Sequence, residues 1–244
     1  MSQRIILTGA TGMVGEGVLL TLLERPEVET ILSISRRPSG HAHPKLHELL
    51  VPDFFDLGGI EEELKGYTAC FFCAGISVVG LTEAEYTRTT HDLTLHFAEA
   101  LARLNPDLIF CYVSGAGTDS KEKSRQMWAR VKGRTENDLL RLFRTAGMFR
   151  PGFLKPVAGQ RHILPLYRWM GWLYPALRKV APATACSLRE LGLAMLAASQ
   201  RAHPMMVYEV RDIVRLAKQA SLGAASPQPA VVAPRNKAGP APAP

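Results

Sequence analysis

The sequence predicts an α/β fold, a doubly wound parallel sheet followed by a smaller and irregular C-terminal region. Over the first 150 residues, short apolar runs alternate with longer helical patterns, which indicates parallel strands joined by right-handed helical crossovers. A glycine-rich turn stands between the first predicted strand and the first predicted helix. With 244 residues, 47% of them hydrophobic and 21% charged, the chain has the length and composition of one globular domain.

The first half of the chain supplies most of the predicted sheet. Ala69–Cys73 is apolar throughout, as expected of a strand that is covered on both faces. Thr82 and Glu85 have the spacing of a capping box at the start of a long helix, which stops before Asn105. In chain order, the predicted elements are a strand at Arg4–Leu7, a helix at Val14–Leu23, strands at Thr30–Ile34, Leu46–Val51 and Ala69–Cys73, a helix at Thr82–Leu104, a strand at Leu108–Val113, a helix at 124–145 and a strand at Met148–Arg150.

After Pro151 the pattern becomes irregular. Ile163–Val180 mixes aromatic and basic residues that suit a core, a substrate pocket or a membrane surface. A second capping box, Ser187 and Glu190, predicts a helix over 187–202, and a short strand at 207–210 and a helix at 213–218 follow. We therefore predict one domain over 1–218, with 151–218 on the substrate side. The remaining residues, 219–244, contain eight Ala and six Pro and predict a disordered tail.

Charge is unevenly distributed along the chain. The net charge is +7, but Lys121–Lys179 alone carries +11 and the rest of the chain −4. Such a segment fits either an ordinary solvated face or an anionic partner, such as a phosphorylated cofactor, an acidic substrate or a lipid surface. Nucleic acid is an unlikely partner because the charge is not accompanied by zinc-finger spacing, a helix-turn-helix pattern or aromatic RNA-binding motifs.

The expected compartment is the cytoplasm. No uncharged stretch reaches eighteen residues, and the N-terminus lacks the long apolar core of a signal peptide. Four cysteines in a chain of this length do not make a disulfide framework.

The strongest motif is the sequence TGATGMVG at residues 8–15. Gly9 would permit the tight turn, Gly12 would let the backbone approach a pyrophosphate, and Gly15 would let helix and sheet pack closely. The free N–H groups and the dipole of the helix would then hold the phosphates. Its position directly after a strand favours dinucleotide binding over a purely structural turn.

The motif and the segments that follow it carry a family resemblance. TGATGMVG resembles the turn of the extended and atypical short-chain dehydrogenase/reductase superfamily, a Rossmann-type fold. Residues 4–218 resemble its NAD(P)-binding epimerase/dehydratase-like group, which includes the Tat-interactive-protein-type oxidoreductases. The further matching segments, in order, are Asp53-Phe54, Cys73-Ala74-Gly75, Val113-Ser114-Gly115, Val131-Lys132-Gly133 with Glu136, and Phe149-Arg150-Pro151-Gly152.

The resemblance implies a set of cofactor contacts. Asp53 would bond the adenine amino group, Phe54 would line the adenine pocket, and Lys132 would contact the nicotinamide ribose. Asp53 fits a simple turn cap equally. The full predicted set is Gly9, Thr11, Gly12, Met13, Val14, Gly15, Arg36, Arg37, Asp53, Phe54, Ala74, Gly75, Lys132 and Pro151.

The end of the second strand predicts NADP in preference to NAD. NAD-specific members place an acid there to bond the ribose 2′-hydroxyl, but this chain has Ser35, Arg36 and Arg37. A guanidinium suits a 2′-phosphate, and Ser35 would add a hydroxyl. The alternative is an ordinary basic loop.

The catalytic residues implied by the resemblance are incomplete. Short-chain reductases pair a Tyr, the general acid/base, with a Lys four residues later, and a Ser holds the substrate carbonyl. Ser114 and Lys132 are present, but the Tyr position holds Trp128, whose indole N–H donates a hydrogen bond without giving up a proton near neutral pH. Two functions stay open: an oxidoreductase or epimerase-like enzyme on an unknown small molecule, or a non-catalytic NADP-binding scaffold or sensor that acts through a protein or membrane partner.

No metal site is predicted. Cys70 and Cys73 lie three apart on a strand, so their side chains point to opposite faces. His91 and His96 lie five apart on a helix and do not share a face, and His41, His43 and His47 lie in a loop-like segment.

Overall fold

The computed structural model describes residues 2–163, 167, 171–200 and 206–223. Its strands are β1 (Gln3–Thr8), β2 (Val28–Ser35), β3 (Leu46–Leu50), β4 (Ala69–Phe72), β5 (Ile109–Val113), β6 (Ala146–Arg150), β7 (Phe153–Lys155), β8 (Ala185–Ser187) and β9 (Val207–Glu209). Seven of them form a parallel sheet in the order β3-β2-β1-β4-β5-β6-β9, and β7 and β8 form a separate parallel pair. The predicted Rossmann-type doubly wound α/β fold is confirmed.

Helices cover both faces of the seven-stranded sheet. They are α1 (Met13–Leu23), α2 (Glu83–Thr87), a π-helical turn (Arg88–Asp92), α3 (Leu93–Leu104), α4 (Met127–Leu142), a 3-10 turn (Gly171–Leu173), α5 (Tyr174–Val180), α6 (Leu188–Ser199) and α7 (Val210–Gly223). One core lies between the sheet and α1, α6 and α7, and the other lies on the side of α3 and α4. No helix in the described residues is both long and apolar enough to cross a membrane.

The two faces of β4 separate the cysteines of the predicted strand. Cys70 is buried in the core beside α3, whereas Cys73 packs against the core on the opposite side. This is the arrangement that their spacing predicts. Within the described residues, no group of His, Cys, Asp and Glu side chains has the geometry of a metal site.

The helices agree with the predicted capping boxes, but the local sequence pattern did not predict every interruption and end of the helices. Both predicted capping boxes are present, at Thr82 with Glu85 and at Ser187 with Glu190. The predicted helix 82–104 is a single unit in space, but a π-helical turn interrupts it. The last helix begins at Val210 and continues to Gly223, so the predicted boundary of the tail at Lys218 falls within a helix. Residues 224–244 of that predicted tail lie outside the described residues, as do 168–170 of the aromatic stretch and 201–205.

Strands β7 and β8 were not predicted. Each has only three residues, which is too short for an alternating pattern to be recognised. They pair with each other and lie in the region that the sequence indicated as irregular.

Candidate functional site

The glycine-rich turn joins the carboxyl ends of β1 and β4. Gly9 has a φ of +78°, and a Cβ added there would lie 2.7 Å from backbone atoms of Cys73 and Ala74. The Thr8 hydroxyl accepts a hydrogen bond of 3.2 Å from the Ala74 N–H. Only glycine fits this position, because the turn needs a positive φ and the neighbouring loop leaves no space.

Gly12 and Gly15 have different surroundings. A Cβ on Gly15 would lie 2.2 Å from the Gly9 carbonyl oxygen, so Gly15 packs against the turn. The prediction had placed its close contact between the helix and the sheet. The close contact between helices occurs at Gly17, where a Cβ would lie 2.6 Å from Leu188. At Gly12 the nearest atom is 3.5 Å away, so its outer side is open to a ligand.

A cavity of about 360 Å³ lies beside the turn at the carboxyl ends of β1, β2 and β4. Nine of the predicted cofactor contacts line it together: Gly9, Thr11, Gly12, Arg36, Arg37, Asp53, Phe54, Ala74 and Gly75. This edge of a doubly wound sheet is where such folds hold their ligands. The cavity is open at two of these glycines, since a Cβ would meet nothing within 4 Å at Gly75 and a single atom, 3.5 Å away, at Gly12.

The other predicted contacts do not line this cavity. Met13 is buried, and its carbonyl accepts a hydrogen bond of 2.8 Å from the Gln160 amide. Val14 packs against the core, and the Pro151 carbonyl accepts a hydrogen bond of 2.8 Å from the Ala116 N–H. Gly15 and Lys132 are likewise not among the residues that line the cavity.

The end of β2 presents two cations to the cavity. Arg36 and Arg37 are exposed, and neither guanidinium forms an ion pair or hydrogen bond with the described residues. The Ser35 hydroxyl instead donates to the Arg37 carbonyl at 2.6 Å, so it shapes the loop and is not free for a phosphate. The arginines therefore form a cationic edge without an acidic neighbour on the strand end.

Asp53 and Phe54 each have a structural contact as well as a place in the cavity lining. One Asp53 carboxylate oxygen accepts a hydrogen bond of 2.9 Å from the Phe55 N–H, which is the turn-capping alternative. Phe54 is buried, and its ring centroid lies 5.6 Å from that of Phe97. Both roles are compatible with the cavity, which these residues also line.

The long helix also contributes to the cavity, which the sequence pattern did not indicate. Thr89 of the π-helical turn and Leu93 at the start of α3 line its wall, as do Ile76 and Phe55 from loops. The fold supplies a signal for the helix residues, since a helix that follows β4 begins near the carboxyl edge of the sheet. The irregular turn that aims them there has no equivalent in the hydrophobic pattern.

A buried carboxylate joins α1 to two loops beside the cavity. Glu16 has no exposed surface and accepts hydrogen bonds from the Arg161 and His162 N–H groups at 2.7 Å each. The His41 ring lies 2.8 Å from it through Nε2. Burial acts to raise the pKa of Glu16, but these donors outweigh it and hold that pKa below its usual value. The carboxylate thus fixes the loop after Arg36 and Arg37 to segment 157–163.

The Ser114 hydroxyl is engaged within the protein, and its role in holding a substrate carbonyl stays a prediction. It is buried at the end of β5, and its Oγ donates to a Glu136 carboxylate oxygen at 2.5 Å. The same Glu136, fully buried on α4, forms an ion pair with Arg150. Its carboxylate holds the pKa of Arg150 above the ordinary value. The Ser114 side chain therefore belongs to a closed polar cluster.

Lys132 reaches the same strand end from α4. Its Nζ donates a hydrogen bond to the Ser114 carbonyl, and a Cβ on Gly115 would lie 4.0 Å from that nitrogen. Burial lowers the pKa of Lys132 to about 8, although the negative charge of Glu136 opposes the shift. Lys132 is thus an amine that changes protonation close to neutral pH.

Trp128 lies one helical turn before Lys132, as the spacing predicts. The far edge of its indole packs on Gly117, where an added Cβ would lie 3.2 Å from the ring. Tyr112 is buried in the core, and burial raises its pKa well above the usual range. No tyrosine in the described residues stands at the position of the missing proton donor.

Comparison with protein-family models gives one clear match. Residues 5–144 match the model of the NAD dependent epimerase/dehydratase family. The match covers more than half of the chain and includes the glycine-rich turn, the cavity, Ser114 and Lys132.

Curated relatives are fungal proteins of moderate identity. Protein fmp52, mitochondrial, from Aspergillus fumigatus is 31% identical over 168 residues, 64% of this chain and 68% of that protein. Leucinostatins biosynthesis cluster protein T from Purpureocillium lilacinum is 34% identical over 146 residues, 57% of this chain. This chain spans only 52% of the length of the leucinostatins protein.

Solved structures share the fold at low sequence identity. ADP-L-glycero-D-manno-heptose-6-epimerase of Helicobacter pylori has a TM-score of 0.62 at 16% identity, covering 89% of this chain and 82% of that one. WbmF of Bordetella bronchiseptica, solved in complex with NAD+, has a TM-score of 0.61 at 15% identity, with 91% and 78% covered. These likenesses show the fold, and the family match supports a nicotinamide dinucleotide as the cofactor.

The expectation of a cytoplasmic location is wrong by this comparison. Protein fmp52 of Aspergillus fumigatus and its counterparts from Chaetomium globosum and Aspergillus clavatus are all named as mitochondrial. The expectation rested on missing sequence signals, which do not distinguish one reducing compartment from another.

Proposed function

Since the chain belongs to the NAD dependent epimerase/dehydratase family, we propose that it binds NADP(H) and acts as an oxidoreductase or epimerase-like enzyme on a small molecule. The observation that carries the proposal is the end of β2, where Arg36 and Arg37 line the cavity and have guanidinium groups without a partner in the part of the chain that the structure describes. A 2′-phosphate would supply a negatively charged partner for these guanidinium groups, whereas a ribose hydroxyl would leave them without one.

Titration of the purified protein with NADPH and NADH tests the cofactor proposal. Arg36→Ala removes a charge-assisted hydrogen bond worth about 1.5–3 kcal/mol, so NADPH affinity falls about tenfold or more. NADH affinity hardly changes. Arg144→Ala is the matched control, because Arg144 is exposed before β6 at the opposite edge of the sheet. Equal affinity of the parent protein for NADPH and NADH would contradict the proposal.

The proton for a reduction would come from Lys132. A bound nicotinamide dinucleotide supplies or accepts a hydride. Ser114 is held by Glu136, so Lys132 is the titratable group on this strand end that remains. With a pKa of about 8, its ammonium gives up a proton more readily than an ordinary lysine does. In carbonyl reduction the hydride goes to carbon, Lys132 delivers the proton to oxygen, and water restores it.

A kinetic screen of aldehydes, ketones and quinones with NADPH tests this role. General acid catalysis is worth about 10²–10⁴-fold, so Lys132→Met loses turnover by that order. Its NADPH affinity, measured in parallel, separates a lost proton donor from a lost ribose contact. Brisk reduction that persists in Lys132→Met would show that the proton comes from elsewhere.

The second candidate function is an NADP-binding sensor without turnover. It is favoured by Trp128 at the position of the proton donor and by the closed hydrogen bonds of Ser114. NADPH binding without turnover of any carbonyl in the screen would support it. Trp128→Tyr then restores a phenol one turn before Lys132, and a gain of reductase activity would show that only the donor was missing.

A further inference from the structure

The 3-10 turn and α5 form an exposed surface with an unusual side-chain distribution. We call Trp172, Pro175, Ala176, Lys179 and Val180 the α5 face. Trp172 is 79% exposed and Val180 is 84% exposed, and the other three are exposed as well. Their positions are i, i+3, i+4, i+7 and i+8, so they share one side of the helix. No residue of α5 is buried.

Two polar side chains of α5, Tyr174 and Arg178, point toward the protein. The Tyr174 hydroxyl donates to one Glu190 carboxylate oxygen at 3.2 Å, and Arg178 donates to the other at 3.0 Å. Arg178 also donates to the Ala185 carbonyl at 3.2 Å. A helix of a globular protein ordinarily buries its apolar side and exposes its charges. In α5 this arrangement is reversed. Contacts with Glu190 hold the helix against the protein, and Val180 faces outward.

The charge around the face selects among partners. Residues 163–180 contain three basic residues and no acid, but Arg178 is paired with Glu190 and Arg168 lies outside the described residues. Lys179 stands on the face itself, and Lys155 lies beside it, with its Nζ 5.2 Å from the Tyr174 ring centroid. A second copy docked symmetrically would bring equal charges together, which disfavours self-association. The face therefore suits an anionic partner with an apolar layer behind its charge.

We propose that the α5 face docks the protein on an anionic lipid bilayer. Trp172 and Val180 enter the boundary between headgroups and acyl chains, and Lys179 contacts lipid phosphates. Lysine stems lie along apolar surface while the ammonium stays in the wet layer, so Lys179 and Val180 fit together at this depth. The contact is peripheral and weakens as salt rises, because the attraction acts within a Debye length.

Co-sedimentation of the full chain with vesicles tests the proposal. Vesicles of phosphatidylcholine mixed with phosphatidylglycerol bind the protein at low salt, and pure phosphatidylcholine vesicles bind it much less. Trp172→Ser lowers the affinity about tenfold, the value of one large buried apolar side chain, and Val180→Ser lowers it by less. Val79→Ser is the matched control, because Val79 is also 84% exposed but lies in the loop after β4. Lys179→Glu lowers binding, whereas Lys123→Glu, elsewhere in the basic segment, changes it little.

Three results would overturn the proposal. One is equal binding to neutral and anionic vesicles, and another is equal loss in Val79→Ser and Val180→Ser. The third is a dimer in sedimentation velocity, without vesicles, that Trp172→Ser dissociates while vesicle binding is absent. NADPH affinity and melting temperature of each variant confirm that it is folded, so a failure here is independent of the proposed function.

Discussion

The cavity beside β1, β2 and β4 and the cluster around Ser114 differ in how their polar groups are used. At the cavity, Arg36 and Arg37 have no partners among the described residues, and the backbone at Gly12 is open. In the cluster, Glu136 is bonded to both Ser114 and Arg150, and Lys132 is bonded to a carbonyl. The first region is incomplete without a ligand, whereas the second is complete by itself. Substitutions at the cavity should therefore change binding, whereas removal of Glu136 should change stability.

Removal of Glu136 gives the largest expected effect. Glu136→Ala removes the main partner of Arg150, whose side chain is 11% exposed, and leaves only the exposed Glu209 carboxylate beside it, which costs about 3–5 kcal/mol in the free energy of unfolding. Urea denaturation measures the loss, and Arg36→Ala serves as the comparison because its guanidinium has no partner to leave behind. If both variants unfold at the same urea concentration, the two regions do not differ as described.

The glycine-rich turn offers the same contrast within a few residues. Gly15→Ala forces a Cβ to within 2.2 Å of the Gly9 carbonyl oxygen and costs about 1–3 kcal/mol through overpacking. Gly12→Ala has its nearest atom at 3.5 Å and leaves the melting temperature nearly unchanged. Its NADPH affinity nevertheless falls, because the methyl occupies the side that a pyrophosphate would approach. Calorimetry and cofactor titration of both variants separate the two effects, and equal melting temperatures would refute the distinction.

Substitution of Lys132 has an effect that depends on pH. Its pKa is about 8 in the folded protein, below the ordinary 10.5, so unfolding takes up a proton between these values. The stability of the parent relative to Lys132→Met therefore rises as pH increases from about 8 to 10.5 and is constant below 8. Denaturation of both proteins across this range measures the difference, in which other titrating groups cancel. Parallel pH curves would show that burial does not shift this amine.

The sequence predicted the parallel sheet and the place of the cofactor because both depend on local signals. Strand β4 is continuously apolar, and the turn at Gly9 needs a backbone that only glycine adopts. The partner of Ser114 was not predictable in this way. Glu136 was recognised only as part of a matching segment. Its contacts with Ser114 and Arg150 join β5, α4 and β6, which follow one another in the chain but meet at these side chains only through their packing.

Other differences have equally physical origins. Strands β7 and β8 are stabilised by pairing with each other rather than by a pattern of their own. The last helix runs past Lys218 because its periodic burial, at Ile213, Leu216 and Ala217, outweighs the change in composition that follows. The sequence did not indicate which side of α5 faces outward, because its aromatic and basic composition fits a buried face and an exposed face equally.

The π-helical turn at Arg88–Asp92 makes the long helix tolerant of a change in length. The Leu93 N–H bonds to the Arg88 carbonyl, five residues back, so one extra residue is accommodated within a continuous helix. Each residue turns a helix by roughly 100°, and the part before the turn is therefore out of phase with the part after it. Deleting one residue here would leave Phe97 and Leu101 buried in the core. It would rotate Glu83–Thr87 about the helix axis, so that these residues face a different direction. The sequence of the capped first part, α2, can thus change independently of the sequence of the buried α3. The π-helical turn between them absorbs the difference in rotation about the helix axis.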